Sequence, residues 1–549
     1  MKKHSAGALT DEQKTIQNNL YQSRIDAGVE YDYLFIGTGN AALTCATLLA
    51  NAGYKVCMLE AHNRAGGYAH SFTIGQYTFC AQVHYIWGCG KGGSVYEFLK
   101  KIGLEEEIQF DLFDPQGYDH MIMPDGIRVK VPCSWKELQS NIEQAYPQTT
   151  GLDAFFKIIK AIRKEAYALP RTIYWWDYLL KGIFFPTHLK YRHASLQDVF
   201  DGCGVSLEAQ TILAAQAGDF LLPPNKLSVL FYVGLLGGYG TGAYAPTLGF
   251  SYYINRLTRF LTDQGSDLYF EEQVTKITTH DRKISGVSTT TGKTFAATNY
   301  ICGMDPQAAA KLIGWEHFPE RDRNRLSYEY SDNGVMVYLG LKPGFEPAKY
   351  GLGNHNTWHC FDWGMNQMWK AGNKLDVENA WLFISTPTTH STNVPQAGHI
   401  IEIGTYAPYA PFKQAAEKSH DDYRALKMEM ANKMIDLVTR HHIPDLNEHI
   451  ALKVVGSPTT SEDFCRAPFG NAYGAALLPK STTSRLSAKT PFSNLHWCNA
   501  TAGIPSIYGT VRTGCNLYMD LTGDEFYDSR TAPTDEEFIA SLLSVSGRT

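Results

Sequence analysis

What this sequence does without narrows the field before any motif is read. It has no excess of charge: 49 Lys and Arg stand against 55 Asp and Glu, a formal net charge of −6, and so there is no basic footprint for nucleic acid. Eleven cysteines run from Cys45 to Cys515 without one C-x-x-C pair, which argues against a zinc framework or a dithiol redox motif, and no metal is expected. An odd number of thiols at irregular spacing suits reduced cysteines in an intracellular, cytoplasmic setting better than a disulfide scaffold. H-E-x-x-H, the P-loop and G-x-S-x-G are all missing, and with them the signatures of zinc proteases, P-loop nucleotidases and serine hydrolases. The opening MKKHSAGALTDEQ has two lysines but no apolar run, so no secretory signal is expected. Tandem repeats and low-complexity blocks are absent as well. Leu227 to Ile254 carries no charge, but GGYGTG and Pro246 interrupt it; in lipid such glycine density would strand backbone groups, so a buried element followed by a glycine-rich turn is expected.

What is present begins with YLFIGTGNAALTCATLL, Tyr33 to Leu49. An apolar strand runs into Gly37-x-Gly39-x-x-Ala42 and then into an apolar helical period, the context a dinucleotide-binding turn requires. Gly37 permits the tight turn, Gly39 lets a pyrophosphate approach the backbone, and Ala42 keeps helix and strand close. The helix start, Asn40 and Ala41, offers free N–H groups and a positive dipole end to phosphate. Tyr54 to Leu59 reads as the second parallel strand, closed by Glu60 and Ala61, and Glu60 is placed to accept bonds from ribose hydroxyls.

With 549 residues and 44% hydrophobic content the chain is expected to make two structural domains. Residues 1–27 read as an N-terminal extension with a capping signal at Thr10 to Gln13. The dinucleotide-binding domain is expected over 28–110, 230–310 and 456–549, the last with a C-terminal tail; a substrate domain is expected over 111–229 and 311–455. Residues 105–225 read as mainly helical, with Phe155, Ile158, Ile159 and Ile162 on one face. Strands such as VMVYLGL, AWLFIST and HIIEIGTY follow, then one long helix from about Lys413 to His441, whose terminal His441-His442 reads as compensation of the helix dipole.

After Glu60 comes Ala-His-Asn-Arg64-Ala-Gly66-Gly67, and a carboxylate followed by R-x-G-G is similar to the extended signature of two-dinucleotide-binding flavoproteins. That resemblance implies FAD. A narrower likeness covers roughly residues 30 to 525: the chain resembles the flavin-dependent carotenoid isomerases, retinol saturases and bacterial phytoene desaturases. Phe79-Cys-Ala-Gln-Val-His84-Tyr85 is similar to their F-D-x-G-x-H-Y, Gly218-Asp219-Phe-Leu-Leu-Pro223-Pro224 to G-D-x-x-x-P-P, and Tyr244-Ala-Pro246-Thr-Leu-Gly249-Phe250 to Y-x-P-x-G-G-F. The resemblance implies that the backbone of Val274 touches the adenine, that Arg64, Gly66 and Gly67 shape a second loop at the pyrophosphate, and that Met304, Asn499, Ala500, Ser506 and Ile507 lie at the flavin. Cys80, Gln82, Leu248 and Asn499 depart from the family pattern; Gln82 and Asn499 are expected near the flavin, where they would reshape the pocket. The implied fold is α/β: a Rossmann-like FAD-binding domain with an inserted α+β substrate domain.

The implied chemistry acts on a carbon–carbon double bond of a hydrophobic polyene, a carotenoid, retinoid or other unsaturated lipid, by saturation or cis–trans isomerisation. Polyene desaturation and amine oxidation remain alternatives, as does a protein that holds FAD structurally and serves as a lipid-binding partner. Saturation and isomerisation both need an acid near the flavin ring; His84 and Tyr85 are the first candidates and Tyr508 a third, against the plainer readings of a core histidine and two pocket walls. A single dinucleotide fingerprint calls for an external electron donor or acceptor. A substrate insoluble in water would most easily arrive from lipid. Ile173 to Phe185, IYWWDYLLKGIFF, followed by His188, Lys190, Arg192 and His193, combines the amphipathic aromatics and cations that favour a membrane surface. Peripheral binding to anionic liposomes that is lost in Trp175→Ala/Trp176→Ala, with FAD retained, is the expected result of co-sedimentation; equal binding would confine these tryptophans to the core.

Overall fold

The computed structural model describes residues 8–168, 185–391 and 398–527. One body is built on a five-stranded sheet in the order Leu495–Trp497, Ala297–Cys302, Tyr31–Ile36, Val56–Leu59 and Asp267–Tyr269, with every pairing parallel. Its strands are covered on both faces, as parallel sheets require. Tyr33, Phe35, Val56 and Met58 point into the helical layer, while Leu34, Ile36, Cys57 and Leu59 point toward Val274, Ile277, Ile284 and Phe295. The latter belong to an antiparallel sheet of Val274–His280, Lys283–Thr289 and Thr294–Phe295.

Helix Asn40–Asn51 is buried from Asn40 to Ala50, which explains its apolar composition on all sides. It packs against Ile507–Thr522 and Gly249–Asp263. A Cβ on Gly514 would stand 2.6 Å from the Ala41 carbonyl oxygen, so the two helices touch only because that position is glycine. The N-terminal helix Asp11–Asp26 has the capping box read from Thr10 and Gln13 and buries no residue. It is fastened instead by polar contacts: Arg24 donates to both oxygens of Asp267, at 2.8 and 2.9 Å, on the sheet's edge strand.

The second body is a seven-stranded sheet in the order Ile450–Gly456, Asn333–Leu341, Ile400–Ala407, Trp381–Ser385, Asn356–Cys360, Asp119–Ile122 and Arg128–Val131. Segment 111–229 is therefore not purely helical. The hairpin Asp119–Val131 supplies two strands that join 333–456 in one sheet, and its four-residue strands are too short to declare a period. The expected single helix of 413–441 is two, Tyr409–Lys418 and His420–His441. The break is Ser419, which is extended and accepts the Asp422 N–H at its hydroxyl, 2.9 Å. In the uncharged stretch, Val229–Tyr239 is a buried helix packed among Phe155, Phe200 and Ile159. The boundary expected at 230 thus falls at the start of a helix on the substrate side. Among the described residues no helix is long and apolar enough to cross a membrane; the aromatic run 173–184 lies outside the described residues.

The second body holds an unusual amount of imidazole. His120 and His355 stack at 3.6 Å, His359 Nδ1 and His442 Nε2 are 2.9 Å apart, and His390 is buried against Phe113. Burial lowers His120, His359 and His390 to about 3 and His355 and His442 to about 4, reinforced by neighbouring imidazoles at all but His355, where Arg128 does so. His442 is therefore neutral near pH 7 and does not compensate the helix dipole as a cation. The unfolded chain takes up these protons near pH 6.5 and the folded chain does not. Their contribution to stability is present above about pH 6.5 and is lost as pH falls toward 4. The thermal midpoint is expected to drop steeply from pH 7 to pH 5, and less steeply in His120→Phe/His355→Phe; an unchanged slope would show that these rings do not control acid stability.

Candidate active site

The turn after the first strand builds the nucleotide end. Gly37 has φ +94° and the Gly303 backbone lies 3.6 Å from where its Cβ would be, so only glycine suits it. Between the glycines, Thr38 donates its N–H to Glu60 Oε2 at 2.9 Å and its hydroxyl to the same oxygen, while the His62 N–H donates to Oε1 at 2.8 Å. Burial raises Glu60, and these donors, with the backbone of Ala61, oppose the rise. The second loop closes on the first: the Gly66 N–H donates to Thr38 O at 3.0 Å, and a Cβ on Gly67 would meet Gly39 Cα at 3.3 Å. Arg64 braces that loop by donating to Ser71 O at 2.7 Å.

A cavity of about 330 Å³ opens beneath the loops, with Gly39, Asn40, Ala41, Gly66 and Gly67 in its wall. A second helix start, Ser506 and Ile507, also lines it. Ser506 holds φ +97° and caps helix Ile507–Thr522 by accepting the Gly509 N–H at 3.0 Å. Asn40 ties the two starts together by donating to Thr510 Oγ1 at 2.9 Å. Two positive helix ends thus converge on one space, an arrangement suited to anionic groups. Met304, Asn499 and Ala500 also line it. Asn499, a departure from the family pattern, donates to Met304 O at 2.9 Å and accepts the Ala502 N–H at 3.0 Å, joining strand end to loop. Arg485, which sequence reasoning missed, holds the same loop by donating to Ala500 O and Gly503 O, both at 2.6 Å. Val274 sits outside the cavity wall, at the head of its strand opposite Thr289.

At the far end lie His84 and Tyr85. His84 Nδ1 is 2.7 Å from Glu402 Oε2, a carboxylate with no exposed surface. The Tyr85 hydroxyl donates to Asp219 Oδ2 at 2.9 Å and to Asp119 Oδ2 at 3.0 Å, and its ring stacks on Tyr239 at 4.5 Å. Burial pushes Asp219 up to about 7, with Tyr85 and His84 opposing the rise; burial and then the neighbouring Asp219 hold Asp119 well above the carboxylate range. Asp219 lines the cavity and carries a transferable proton near neutral pH. Gln82 is also in the wall and donates to Asn333 Oδ1 at 2.9 Å. Tyr508 is not: it packs on Trp87 and fills the space a Gly88 side chain would need. Asp119 and Glu402 escaped sequence reasoning, although each is a single carboxylate in an otherwise apolar run, YDHMIM and HIIEIGTY.

A glycine cradle, a buried carboxylate beside it and two helix starts at one cavity fit FAD, and the chain is an FAD-dependent oxidoreductase or isomerase on a mixed α/β fold. The chain belongs to the flavin containing amine oxidoreductase family, whose model matches residues 43–516. It is 21% identical over 536 residues to an all-trans-retinol 13,14-reductase of Danio rerio, across 88% of this chain and 84% of the relative. It is 24% identical over 498 residues to a chloroplastic prolycopene isomerase of Daucus carota, across 83% of this chain and 75% of the relative. The structure of cyclohexylamine oxidase from Brevibacterium oxydans shares the fold, with TM-score 0.58 at 13% identity over 90% of this chain and 100% of that one. Glu60→Ala is expected to weaken FAD retention by about 1.5–3 kcal/mol, the usual loss for a charged hydrogen-bond acceptor. Gel filtration of the loaded variant, with circular dichroism to verify folding, checks this; full retention of the yellow cofactor would remove Glu60 from the site.

Proposed function

We propose that the protein reduces or isomerises a carbon–carbon double bond of a hydrophobic polyene. One observation carries the reading: the reacting end of the cavity is walled by Trp87, Phe220, Leu235 and Tyr239, and its polar groups are few, a half-buried His84 held by Glu402 and an Asp219 whose carboxyl is pushed up to about 7 by desolvation. A polyene has no charge to grip, so an apolar aromatic wall with few polar groups suits it. A protonated amine would instead need a lasting anion, and burial keeps Asp219 partly protonated at neutral pH. The names of the retinol reductase and prolycopene isomerase relatives support the same substrate class.

FAD, when bound, supplies hydride or electron transfer, replenished by an external donor or acceptor. The chain's own residues handle the proton. Glu402 fixes the His84 ring through Nδ1 and leaves Nε2 to give or take a proton at a substrate carbon. Tyr85 and Asp219 form a second proton-carrying pair on the same wall, with Tyr239 stacked on the Tyr85 ring. Desaturation would use the same groups in the opposite direction.

The test is anaerobic incubation of dithionite-reduced holoenzyme with all-trans-retinol and, separately, with prolycopene, followed by chromatography and mass analysis. A mass gain of two hydrogens identifies saturation; an unchanged mass with altered retention identifies isomerisation. His84→Ala is expected to keep FAD and lose about 10²- to 10⁴-fold in turnover, the usual contribution of general acid–base catalysis. A variant within about twofold of wild type, far short of that factor, would return His84 to a packing role.

A further inference from the structure

The seven-stranded sheet carries one polar row across its buried interior. Asp119 pairs in register with Asn356 on the neighbouring strand. Trp358 stands opposite Phe383 and Thr357 opposite Ile384, and the same register carried one residue further sets Asn356 across from Ser385. Ser385 is paired with Glu402, and Glu402 with Tyr338. Side chains that face one another across adjacent strands share a face of the sheet, so Asp119, Asn356, Ser385 and Glu402 form a continuous line. All four have 0% exposed surface. Three strand spacings separate the ends, ~14 Å.

Apolar residues would have been the easy choice at each position, because a buried polar atom without a partner costs roughly 1–3 kcal/mol. Yet Asp119 Oδ1, both polar atoms of Asn356, Ser385 Oγ and Glu402 Oε1 have no hydrogen-bond partner among the described residues. Unpaired groups clustered on one line call for ordered water. Space for it exists at the Glu402 end, where a chamber of about 70 Å³ is bordered by Glu402, His84 and His390. His390 Nδ1 is likewise unpaired. At about 30 Å³ per molecule the chamber has room for water.

The two ends of the row are already in contact with the cavity. Glu402 Oε2 meets His84, and Asp119 Oδ2 accepts from Tyr85, which also donates to Asp219. We infer that Asp119, Asn356, Ser385 and Glu402, with ordered water between them, form a proton-conducting row that joins the His84 and Tyr85–Asp219 ends of the cavity, so that a proton given up at one is restored from the other. Only O–H and N–H bonds form and break along the row. For each proton that His84 passes to a substrate, Glu402 passes one to His84, Asp119 passes one along the row to Glu402, and Asp219 passes one through the Tyr85 hydroxyl to Asp119; a proton from bulk solvent, carried in through the open cavity, reprotonates Asp219. No oxidant or reductant takes part. Ser385 and Asn356 touch no substrate in this scheme: they position the water that carries the proton. The inference rests on the reading of the cavity as a site of proton transfer to a substrate.

Infrared difference spectra taken as the FAD of the holoenzyme is reduced with dithionite, in light and in heavy water, report protonated carboxyl groups directly. The expected result is a carboxyl band that vanishes in Asp119→Asn, shifts in both Glu402→Gln and Ser385→Val, and returns to its wild-type position in Ser385→Thr. A band from Asp119 that ignores both Glu402→Gln and Ser385→Val, or the absence of any band dependent on Asp119, overturns the row. Glu402→Gln, nearly isosteric, decides the matter if Ser385→Val fails to fold. Turnover of all-trans-retinol and prolycopene by the same proteins separates the two readings. Infrared coupling without turnover of either polyene removes the proposed function and leaves the row; turnover without coupling does the reverse.

Discussion

The contact on which the rest depends is the backbone closure between two glycine loops. The Gly66 N–H reaches the Thr38 carbonyl at 3.0 Å, and Gly67 lies against Gly39 with no room for a side chain. That closure sets one wall of the cavity and leaves the first turn of helix Asn40–Asn51 facing open space. It also brings the Glu60 carboxylate onto Thr38, so the end of strand Val56–Leu59 and the glycine turn are fixed by one short segment. The partner helix Ile507–Thr522 approaches the same point because Gly514 clears the Ala41 carbonyl, and Asn40 links the two helix starts. Replacing Gly67 or Gly514 sets a side chain against backbone, at 3.3 Å from Gly39 Cα or 2.6 Å from the Ala41 oxygen, and shifts the distance between the two backbones.

At the opposite end of the cavity the governing physics is desolvation. Asp119 and Glu402 have no exposed surface and Asp219 is desolvated at the cavity wall, and a carboxyl group so placed either keeps its proton or finds a donor. Asp119 and Asp219 share the Tyr85 hydroxyl; Glu402 takes His84. The result is a set of exchangeable protons held against an aromatic wall, in a family whose cofactor does the electron chemistry. The acid sensitivity expected of the second body has the same origin, since burial is the leading cause that lowers its paired imidazoles.

The two bodies are built from alternating stretches of one chain. The hairpin Asp119–Val131 joins strands more than 200 positions further on, and the parallel sheet collects Leu495–Trp497 beside Ala297–Cys302. Sites between such bodies gather residues that are remote in sequence: Glu402 lies 318 positions from His84.

The glycine turn, Glu60 and the R-x-G-G loop were legible in the chain because each acts through local geometry: a left-handed φ, a helix start, a carboxylate at the end of a strand. The sequence by itself therefore determined the FAD cofactor and the α/β class of the fold. It also marked His84, Tyr85 and Asp219 as members of motifs, without saying what faces them. Strand Asp119–Ile122 was hidden because four residues carry too little periodicity, and the break at Ser419 because a capping serine inside a helical pattern looks like any polar surface position. Tyr508 illustrates the opposite error: its neighbourhood in sequence lines the flavin cavity, yet its ring turns toward Trp87 and Gly88. Only the tertiary structure decided that Glu402 meets His84, that Asp119 and Asp219 share a proton donor, and that four polar residues from four strands fall into one buried line. Each of these depends on strand register and on exclusion of water, quantities that exist only once distant segments have packed together.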